Sequence, residues 1–179
     1  MTMTGDDLVD QAKLRLADYG ALFGKAKEAQ VAAVRLDGQI EAARKAVSGK
    51  GKALIVMTNG PKITAYGPGS RFGWVHATLS LPPAVAEMEN ATHGEAVSFE
   101  FIHKANPDWL LVVDRAAAIG SGEQGARATL DNELVASTTA WKKGQVIYLP
   151  AADFYIAAGG IQSTGRVLSS IQEAFSASR

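Results

Sequence analysis

Four polar side chains in this sequence have the chemistry to bind an anionic ligand: Arg71, His93, Arg115 and Tyr155, each in a loop beside a predicted helix or strand. Two guanidinium groups hold anions through forked, charge-assisted hydrogen bonds. A phenolate oxygen is a hard metal ligand, and an imidazole nitrogen suits iron as well. If the four side chains converge, they form a pocket for an anionic, oxygen-rich iron chelate.

Each of these residues also has an ordinary structural interpretation. Arg115 follows Asp114 and could pair with that carboxylate or with another acid. Tyr155 could be an aromatic residue on a loop rim, and His93 could serve only in a turn. Residue types and spacing alone leave both interpretations open.

The elements that must position these side chains are predicted from the apolar periodicity of the chain. Amphipathic helices are predicted over 6–23 and 26–48. After residue 53, short apolar runs bounded by Gly, Pro and Asn predict strands with helices between them. The predicted strands cover 53–58, 62–66, 109–113 and 145–149, and the predicted helices cover 72–79, 99–104, 123–135 and 160–175, with a loop over 116–122.

Continuous apolar strands that alternate with helices indicate an α/β fold, in which helices cover both faces of a mainly parallel sheet. In such sheets the ligand lies in the crevice at the carboxyl ends of the strands. Arg71, Arg115 and Tyr155 each follow a predicted strand. The predicted fold class therefore gives a reason for these side chains to meet at one edge.

The composition excludes several classes of protein. The 179 residues are 47% hydrophobic, which excludes wholesale disorder, and the absence of cysteine excludes disulfide frameworks and thiolate metal sites. Lys and Arg number 18, as do Asp and Glu, so a nucleic acid is not the expected partner. The segment Met1–Asp7 has no basic stretch followed by an apolar one, so no signal peptide is expected.

The residues Gly120, Gly122 and Gly125 match the spacing GxGxxG, which suggests an alternative function as a nucleotide-binding α/β enzyme domain. In a dinucleotide-binding fingerprint the first glycine follows the strand at once, whereas here six residues separate Gly120 from Val113. A strand-to-helix loop is the preferred interpretation. Because the chain carries no nucleophile elbow, P-loop or zinc-protease motif, it is not expected to be an enzyme.

Several longer segments resemble periplasmic siderophore-binding proteins of iron ABC transporters, which are class III solute-binding proteins. The resemblance is greatest to the group that binds catecholate and petrobactin-type ferric siderophores. The matching segments are TAYGPGSRFGW over 64–74, THGEAVSFEF over 92–101, NPDWLLVVDR over 106–115, DNELV over 131–135 and VIYL over 146–149, together with Tyr155 and the pair Gly159-Gly160.

The resemblance implies a division of the chain. Residues 51–179 are expected to form a C-terminal, three-layer α/β/α lobe with a mainly parallel sheet. Residues 26–50 are expected to form the long inter-lobe helix, and residues 1–25 the end of an N-terminal lobe whose remainder is missing. A lobe face that is normally covered would then be exposed, so we expect self-association through it.

The resemblance also implies roles for the four candidate residues. Arg71 and Arg115 match the arginines that contact the anionic catecholates. His93 and Tyr155 match the residues that complete Fe(III) coordination when the siderophore supplies four donors. The implied function is to bind a ferric siderophore in the periplasm and deliver it to the membrane permease of an ABC importer, with no intrinsic cofactor. A single-lobe remnant that binds nothing is the second alternative.

Overall fold

A five-stranded sheet forms the centre of the fold. The computed structural model describes residues 5–88 and 92–178. The strands are β1 (Ala53–Asn59), β2 (Lys62–Tyr66), β3 (Glu95–Val97), β4 (Trp109–Asp114) and β5 (Val146–Tyr148), in the spatial order β3-β2-β1-β4-β5.

Four of the five strands point in the same direction. Strand β4 pairs in parallel with both β1 and β5, whereas β2 is antiparallel to its neighbours β1 and β3. Strand β2 is reversed because Gly60 and Pro61 join it to β1, and a two-residue hairpin connects only antiparallel strands. Gly60 has a φ of +55°, which glycine adopts without strain. The mainly parallel sheet is confirmed, with β2 as the exception.

Nine α-helices and one π-helical turn (Ala152–Ile156) lie within the described residues. The α-helices are α1 (Leu8–Leu22), α2 (Ala26–Val47), α3 (Trp74–Leu79), α4 (Phe99–Ala105), α5 (Arg115–Ile119), α6 (Ala126–Leu130), α7 (Glu133–Ala136), α8 (Thr139–Lys142) and α9 (Ile161–Ala177). None of the helices within 5–88 and 92–178 combines the length and the hydropathy needed to cross a membrane.

The central strands separate two apolar cores. In β4, Leu111 and Val113 belong to the core that also contains α1, α2, α3 and α9, whereas Leu110 and Val112 belong to the core against α4, α6, α7 and α8. Because successive side chains of a strand point to opposite faces, a strand buried on both faces appears as one continuous apolar run. The expected three-layer α/β/α arrangement is confirmed.

The second half of the chain differs from the predicted elements in three places. Residues 115–119 form α5, where a loop was expected, because the Asp114 side chain caps a helix directly after β4. The helix predicted over 123–135 is two short helices, and Asn132 begins the second by accepting the Leu134 N–H over 2.9 Å. The short strand β3 and the π-helical turn were not predicted.

The long helix α2 packs along α9 on one face of the sheet. Its buried residues Leu36, Ile40, Ala43 and Val47 recur every three or four positions, as expected for one face of a helix. The Gln39 amide nitrogen donates hydrogen bonds to α9, including one of 3.2 Å to the Ser169 hydroxyl. Helix α2 is therefore fixed against the same α/β layer that carries the candidate site.

Candidate ligand-binding site

The structure brings Arg71, Arg115 and Tyr155 together. Nε of Arg115 donates a hydrogen bond of 3.0 Å to the Tyr155 hydroxyl oxygen. The Arg71 guanidinium lies over the Tyr155 ring, with Cζ 4.6 Å from the ring centroid. The Arg71 Nη2 also donates to the Tyr155 backbone carbonyl. One phenol thus meets a positive charge at its hydroxyl and a second across its ring face.

The register of the parallel strands places Arg115. Thr58 of β1 pairs with Asp114, the last residue of β4, and Arg115 is the first residue of α5. The Asp114 carboxylate accepts the Ala117 N–H over 3.0 Å and so begins the helix immediately after the strand. The Arg115 guanidinium therefore extends from the carboxyl end of a central strand, as the sequence predicts.

Arg71 reaches the site by a different route. Because β2 runs antiparallel to β1, its last residue, Tyr66, lies opposite Ile55 near the beginning of β1. The expectation that the end of strand 62–66 lies at the ligand edge was therefore wrong. The loop that follows β2 brings the chain back, and the Arg71 N–H donates a hydrogen bond of 3.0 Å to the Thr92 carbonyl.

A buried aromatic stack fixes the distance between the two loops that carry Arg71 and Tyr155. Phe72 and Phe154 are 0% and 1% exposed, and their ring centroids lie 4.5 Å apart with 23° between the ring planes. Each ring belongs to the chain neighbour of a candidate residue. Because the stack leaves neither ring room to move, it sets the positions of both neighbours.

Tyr155 lies in the π-helical turn, whose wider backbone closes with a hydrogen bond of 3.0 Å from the Ala157 N–H to the Ala152 carbonyl. Single π-turns occur frequently at functional sites. The turn is also tied to α9, because the Arg166 Nε donates a hydrogen bond of 2.8 Å to the Asp153 carboxylate. The backbone that presents Tyr155 is thus attached to the neighbouring helix.

The two arginines favour the ionised form of Tyr155. The hydrogen bond from Arg115, together with the charges of both guanidiniums, holds the pKa of the Tyr155 phenol below its ordinary value of 10.0. Tyr66 shows the opposite effect, because burial raises the pKa of its phenol. A phenolate is the form that binds a hard metal ion. Of these two tyrosines, Tyr155 is therefore the one suited to a ferric ligand.

Asn59 is a site residue that sequence reasoning missed. The sequence assigned it only to a turn, but its side-chain oxygen accepts a hydrogen bond of 2.8 Å from Nη1 of Arg115. The signal that could have revealed it is the pairing of β1 with β4. Once Thr58 is placed opposite Asp114, the residues that follow them in the chain, Asn59 and Arg115, are neighbours.

His93 lies beside these three residues rather than among them. It is exposed and follows Thr92, whose carbonyl accepts the Arg71 N–H. Within the described residues its side chain makes no hydrogen bond or ion pair with Arg71, Arg115 or Tyr155. The turn that carries it lies tightly against β2, since a Cβ on Gly94 would stand 2.6 Å from the Ala65 carbonyl oxygen.

The glycine loop over 120–125 does not present a phosphate-binding helix end. The Asp114 carboxylate accepts the N–H groups of Ala117, in the first turn of α5, and Ala126, the first residue of α6. A phosphate at either helix would have to displace this negative charge. Because Asp114 accepts these backbone N–H groups on both sides of the loop, the structure gives no support to the nucleotide-binding alternative.

The other histidines have structural partners. Nδ1 of His103, in α4, lies 2.7 Å from the Ser137 hydroxyl oxygen. His76 is buried, and its Nδ1 lies 2.9 Å from the Leu81 carbonyl oxygen. Each of these two imidazole rings therefore has a partner within the protein.

Comparison with known sequences shows that the chain is similar to two curated siderophore-binding proteins. The petrobactin-binding protein YclQ of Bacillus subtilis is 34% identical over 155 residues, which are 86% of this chain and 49% of that protein. The ferric-anguibactin-binding protein FatB of Vibrio anguillarum is 34% identical over 164 residues, which are 91% of this chain and 51% of that protein. The chain spans about half the length of these curated relatives.

Solved structures agree with the sequence comparison. The crystal structure of YclQ superposes with a TM-score of 0.87 at 32% identity, over 93% of this chain and 58% of that chain. The periplasmic catecholate-siderophore binding protein VctP of Vibrio cholerae superposes with a TM-score of 0.86 at 29% identity, over 93% of this chain and 60% of that chain.

A sequence model of one family, described as periplasmic binding protein, matches residues 2–152. That range includes Asn59, Arg71, His93 and Arg115 and ends just before Tyr155. Together with the fold and the two relatives, this match establishes that the chain belongs to the periplasmic binding protein family.

Proposed function

We propose that this chain binds a ferric siderophore of the catecholate type. The observation that carries the proposal is the contact of both Arg71 and Arg115 with Tyr155 at one site. The related proteins support it, since one is named for petrobactin, one for ferric anguibactin and one for a catecholate siderophore.

The chemistry of the site fits such a ligand. A ferric catecholate carries negative charge on its oxygen atoms, and two guanidiniums offer it charge-assisted hydrogen bonds. A siderophore with four donor atoms leaves two of the six positions of Fe(III) open. In this proposal Tyr155 and His93 fill them, the first as a phenolate favoured by its two arginines and the second from the exposed turn beside Arg71.

The biological role that we propose is capture and delivery rather than catalysis. The ligand would leave the site unchanged and pass to the permease of an ABC importer, with the protein located in the periplasm. Membership of a family of substrate-binding proteins supports this role. The site uses arginine, tyrosine and histidine to hold a ligand, and the proposal assigns none of them a bond-making step.

The proposal is tested by titrating the protein with the ferric complex of a tetradentate bis-catecholate and following tryptophan fluorescence. Trp74 is buried, and its ring centroid lies 5.8 Å from that of Phe154, the neighbour of Tyr155. We expect saturable quenching that weakens in Tyr155→Phe and in His93→Ala. The iron-free bis-catecholate serves as the control ligand and should bind more weakly.

A matched control variant is Tyr148→Phe. Tyr148 also lies beneath an arginine, with Cζ of Arg127 4.2 Å from its ring centroid, but it packs against the opposite core. Its loss should leave ferric catecholate binding unchanged. Absence of saturable quenching in the unmodified protein would contradict the proposal and favour a lobe that does not bind ligand by itself.

A further inference from the structure

Asn59 holds one edge of the Arg115 guanidinium. Its side-chain oxygen accepts from Nη1 of Arg115 over 2.8 Å, while Nε of the same guanidinium donates to the Tyr155 hydroxyl over 3.0 Å. We propose that Asn59 is a positioning residue, which fixes the direction in which Arg115 presents its remaining donors to an anionic ligand. This inference rests on the proposed function.

The donors of Arg115 can be counted. A guanidinium has five N–H groups in a rigid plane. In the described part of the chain one of them is bound to Tyr155 and one to Asn59, which leaves one hydrogen on Nη1 and two on Nη2 for a ligand. A planar group held at two of its corners has one orientation, whereas a group held only at Nε can turn about its side-chain bonds.

Strand register brings Asn59 to this position. The last ladder pair between β1 and β4 is Thr58 with Asp114, so Asn59 and Arg115 leave the two strands side by side. Asn59 is also the last residue of β1 before the hairpin and pairs with Lys62 of β2. Its backbone is thus held in the ladder with β2, directly after the last pair with β4, and its side chain meets Arg115 beyond the end of that ladder.

The uncharged amide is essential to this role. A carboxylate at position 59 would hold Arg115 equally well but would cancel its positive charge, and an anionic ligand would gain less from binding. An asparagine orients the guanidinium and leaves its charge for the ligand. Orientation of Arg115 therefore needs a hydrogen-bond acceptor at position 59. Attraction of an anionic ligand to Arg115 also needs that acceptor to be neutral.

The experiment compares the unmodified protein with Asn59→Leu, which removes the acceptor at similar size, and with Asn59→Asp, which keeps it. The Arg115 side-chain N–H signals are followed by ¹⁵N NMR, with Arg115→Lys to assign them. Affinity for the ferric bis-catecholate is measured on the same samples. Resolved, slowly exchanging Nη signals report a fixed guanidinium, and averaged signals report a rotating one.

We expect averaged Arg115 signals in Asn59→Leu and an affinity about tenfold weaker, equivalent to about 1.4 kcal/mol. Asn59→Asp should keep the signals resolved and yet bind the anionic ligand more weakly. Resolved signals or unchanged affinity in a folded Asn59→Leu protein would overturn the proposal. If the unmodified protein does not bind the ferric chelate, the proposed function fails, and the NMR comparison still decides whether Asn59 orients Arg115.

Thr129→Val is the matched control for hairpin stability. The Thr129 hydroxyl donates a hydrogen bond of 2.8 Å to the carbonyl of Gly60, the residue after Asn59, whereas the side-chain hydrogen bonds of Arg115 within the described residues go to Tyr155 and Asn59. It should lower the free energy of unfolding without changing the Arg115 signals or the affinity. If this control reproduces the Asn59→Leu result, Asn59 acts only through the hairpin and the positioning role is overturned.

Discussion

Two neighbouring arginines lower the pKa of the Tyr155 phenol, and their effect outweighs that of its partial burial, which raises the pKa. Arg115 donates to its oxygen and Arg71 lies across its ring, so both guanidiniums stabilise the phenolate. Removal of Arg115 deletes the largest of these effects, whereas removal of Arg71 deletes a smaller one. The two arginines therefore differ in their effect on Tyr155, although both could contact the same ligand.

The lowered pKa of Tyr155 predicts that the free energy of unfolding depends on pH. Because the pKa of Tyr155 is lower in the folded protein than in the unfolded chain, the folded protein loses this proton first as pH rises. The contribution of Tyr155 to the free energy of unfolding is full above about pH 10, the ordinary pKa of tyrosine, and disappears as pH falls through the lowered folded-state value. The contribution is therefore smaller at about pH 7 than at about pH 10.

The measurement is urea unfolding of the unmodified protein and of Tyr155→Phe at about pH 7 and about pH 10. The stability difference between them should shift in favour of the unmodified protein at the higher pH, and Arg115→Met should reduce the shift. Tyr66→Phe is the control with opposite sign, because burial raises the pKa of Tyr66. An equal difference at both pH values would contradict the prediction.

The sequence predicts individual site residues better than it predicts their partners. The positions of Arg115 and Tyr155 after apolar strands are visible in the spacing of the chain. The role of Asn59 is not visible, because it depends on which residue of β1 lies beside which residue of β4. Spacing likewise gives the wrong route for Arg71, since the direction of β2 is set by the hairpin at Gly60.

At the scale of elements, the stack of Phe72 on Phe154 connects the loop after β2 to the π-helical turn. Phe72 follows Arg71 in the chain, and Phe154 precedes Tyr155. The stack therefore brings together Arg71 and Tyr155, which are 84 positions apart in sequence and are joined by a hydrogen bond. No local sequence pattern predicts such a contact, because both phenylalanines also fit an ordinary core position. The stack connects the stability of the core to the geometry of the candidate site.

We therefore predict that Phe154→Leu lowers the free energy of unfolding by about 1–2 kcal/mol and also weakens ferric catecholate binding. The matched control is Phe175→Leu. Phe175 is equally buried and stacks on Trp109 with ring centroids 3.7 Å apart, in a contact that involves none of the candidate residues. It should cost similar stability without loss of affinity, as measured by urea unfolding and fluorescence titration. If Phe154→Leu and Phe175→Leu bind the ferric catecholate with equal affinity, the Phe72–Phe154 stack does not determine the geometry of the candidate site.

A second element-scale prediction concerns Asp114. One carboxylate oxygen accepts the Ala117 N–H and the other accepts the Ala126 N–H, so this residue caps α5 and fixes the loop before α6. Asp114→Ala should lower the free energy of unfolding by about 1–2 kcal/mol. Asp114→Asn keeps one acceptor and should cost less. Similar stability of the alanine variant and the unmodified protein would contradict the double role.

Short helices are where the sequence predicts least. The segment 123–135 has the composition of a helix, but Asp131 ends α6 and Asn132 caps α7 with its own side chain. Residues that cap helices also occur within them, so periodicity does not locate the break. By contrast, the long helices α1, α2 and α9 and the apolar strands were predicted correctly, because each buries a regular face.

At the scale of the whole molecule, α1 and α2 carry large apolar side chains in contact with solvent. Leu22 and Phe23 are 73% and 70% exposed, and Val31 and Val34 of α2 are also exposed. Exposed apolar surface of this kind favours association between molecules. The expected self-association of the lobe remains a prediction, and this surface is the one that we assign to it.

We predict that the sedimentation coefficient rises with protein concentration and that Leu22→Ser with Phe23→Ser reduces this rise. Both side chains are exposed, so the pair of substitutions should leave the thermal unfolding midpoint nearly unchanged. Ile119→Ser with Ile156→Ser is the comparison, because those two residues are exposed near the candidate site instead. A sedimentation coefficient independent of concentration would exclude association through α1 and α2.

The positions of Arg71 and Tyr155, each next in the chain to a buried phenylalanine, have an evolutionary consequence. Phe72 and Phe154 maintain the scaffold, while the adjacent positions 71 and 155 extend out of it. A substitution at either outer position changes what the surface recognises and leaves the inner ring in place. Selection for a new ligand and selection for a stable fold therefore act on different residues of the same two loops, and point mutations can diversify binding without passing through unfolded intermediates.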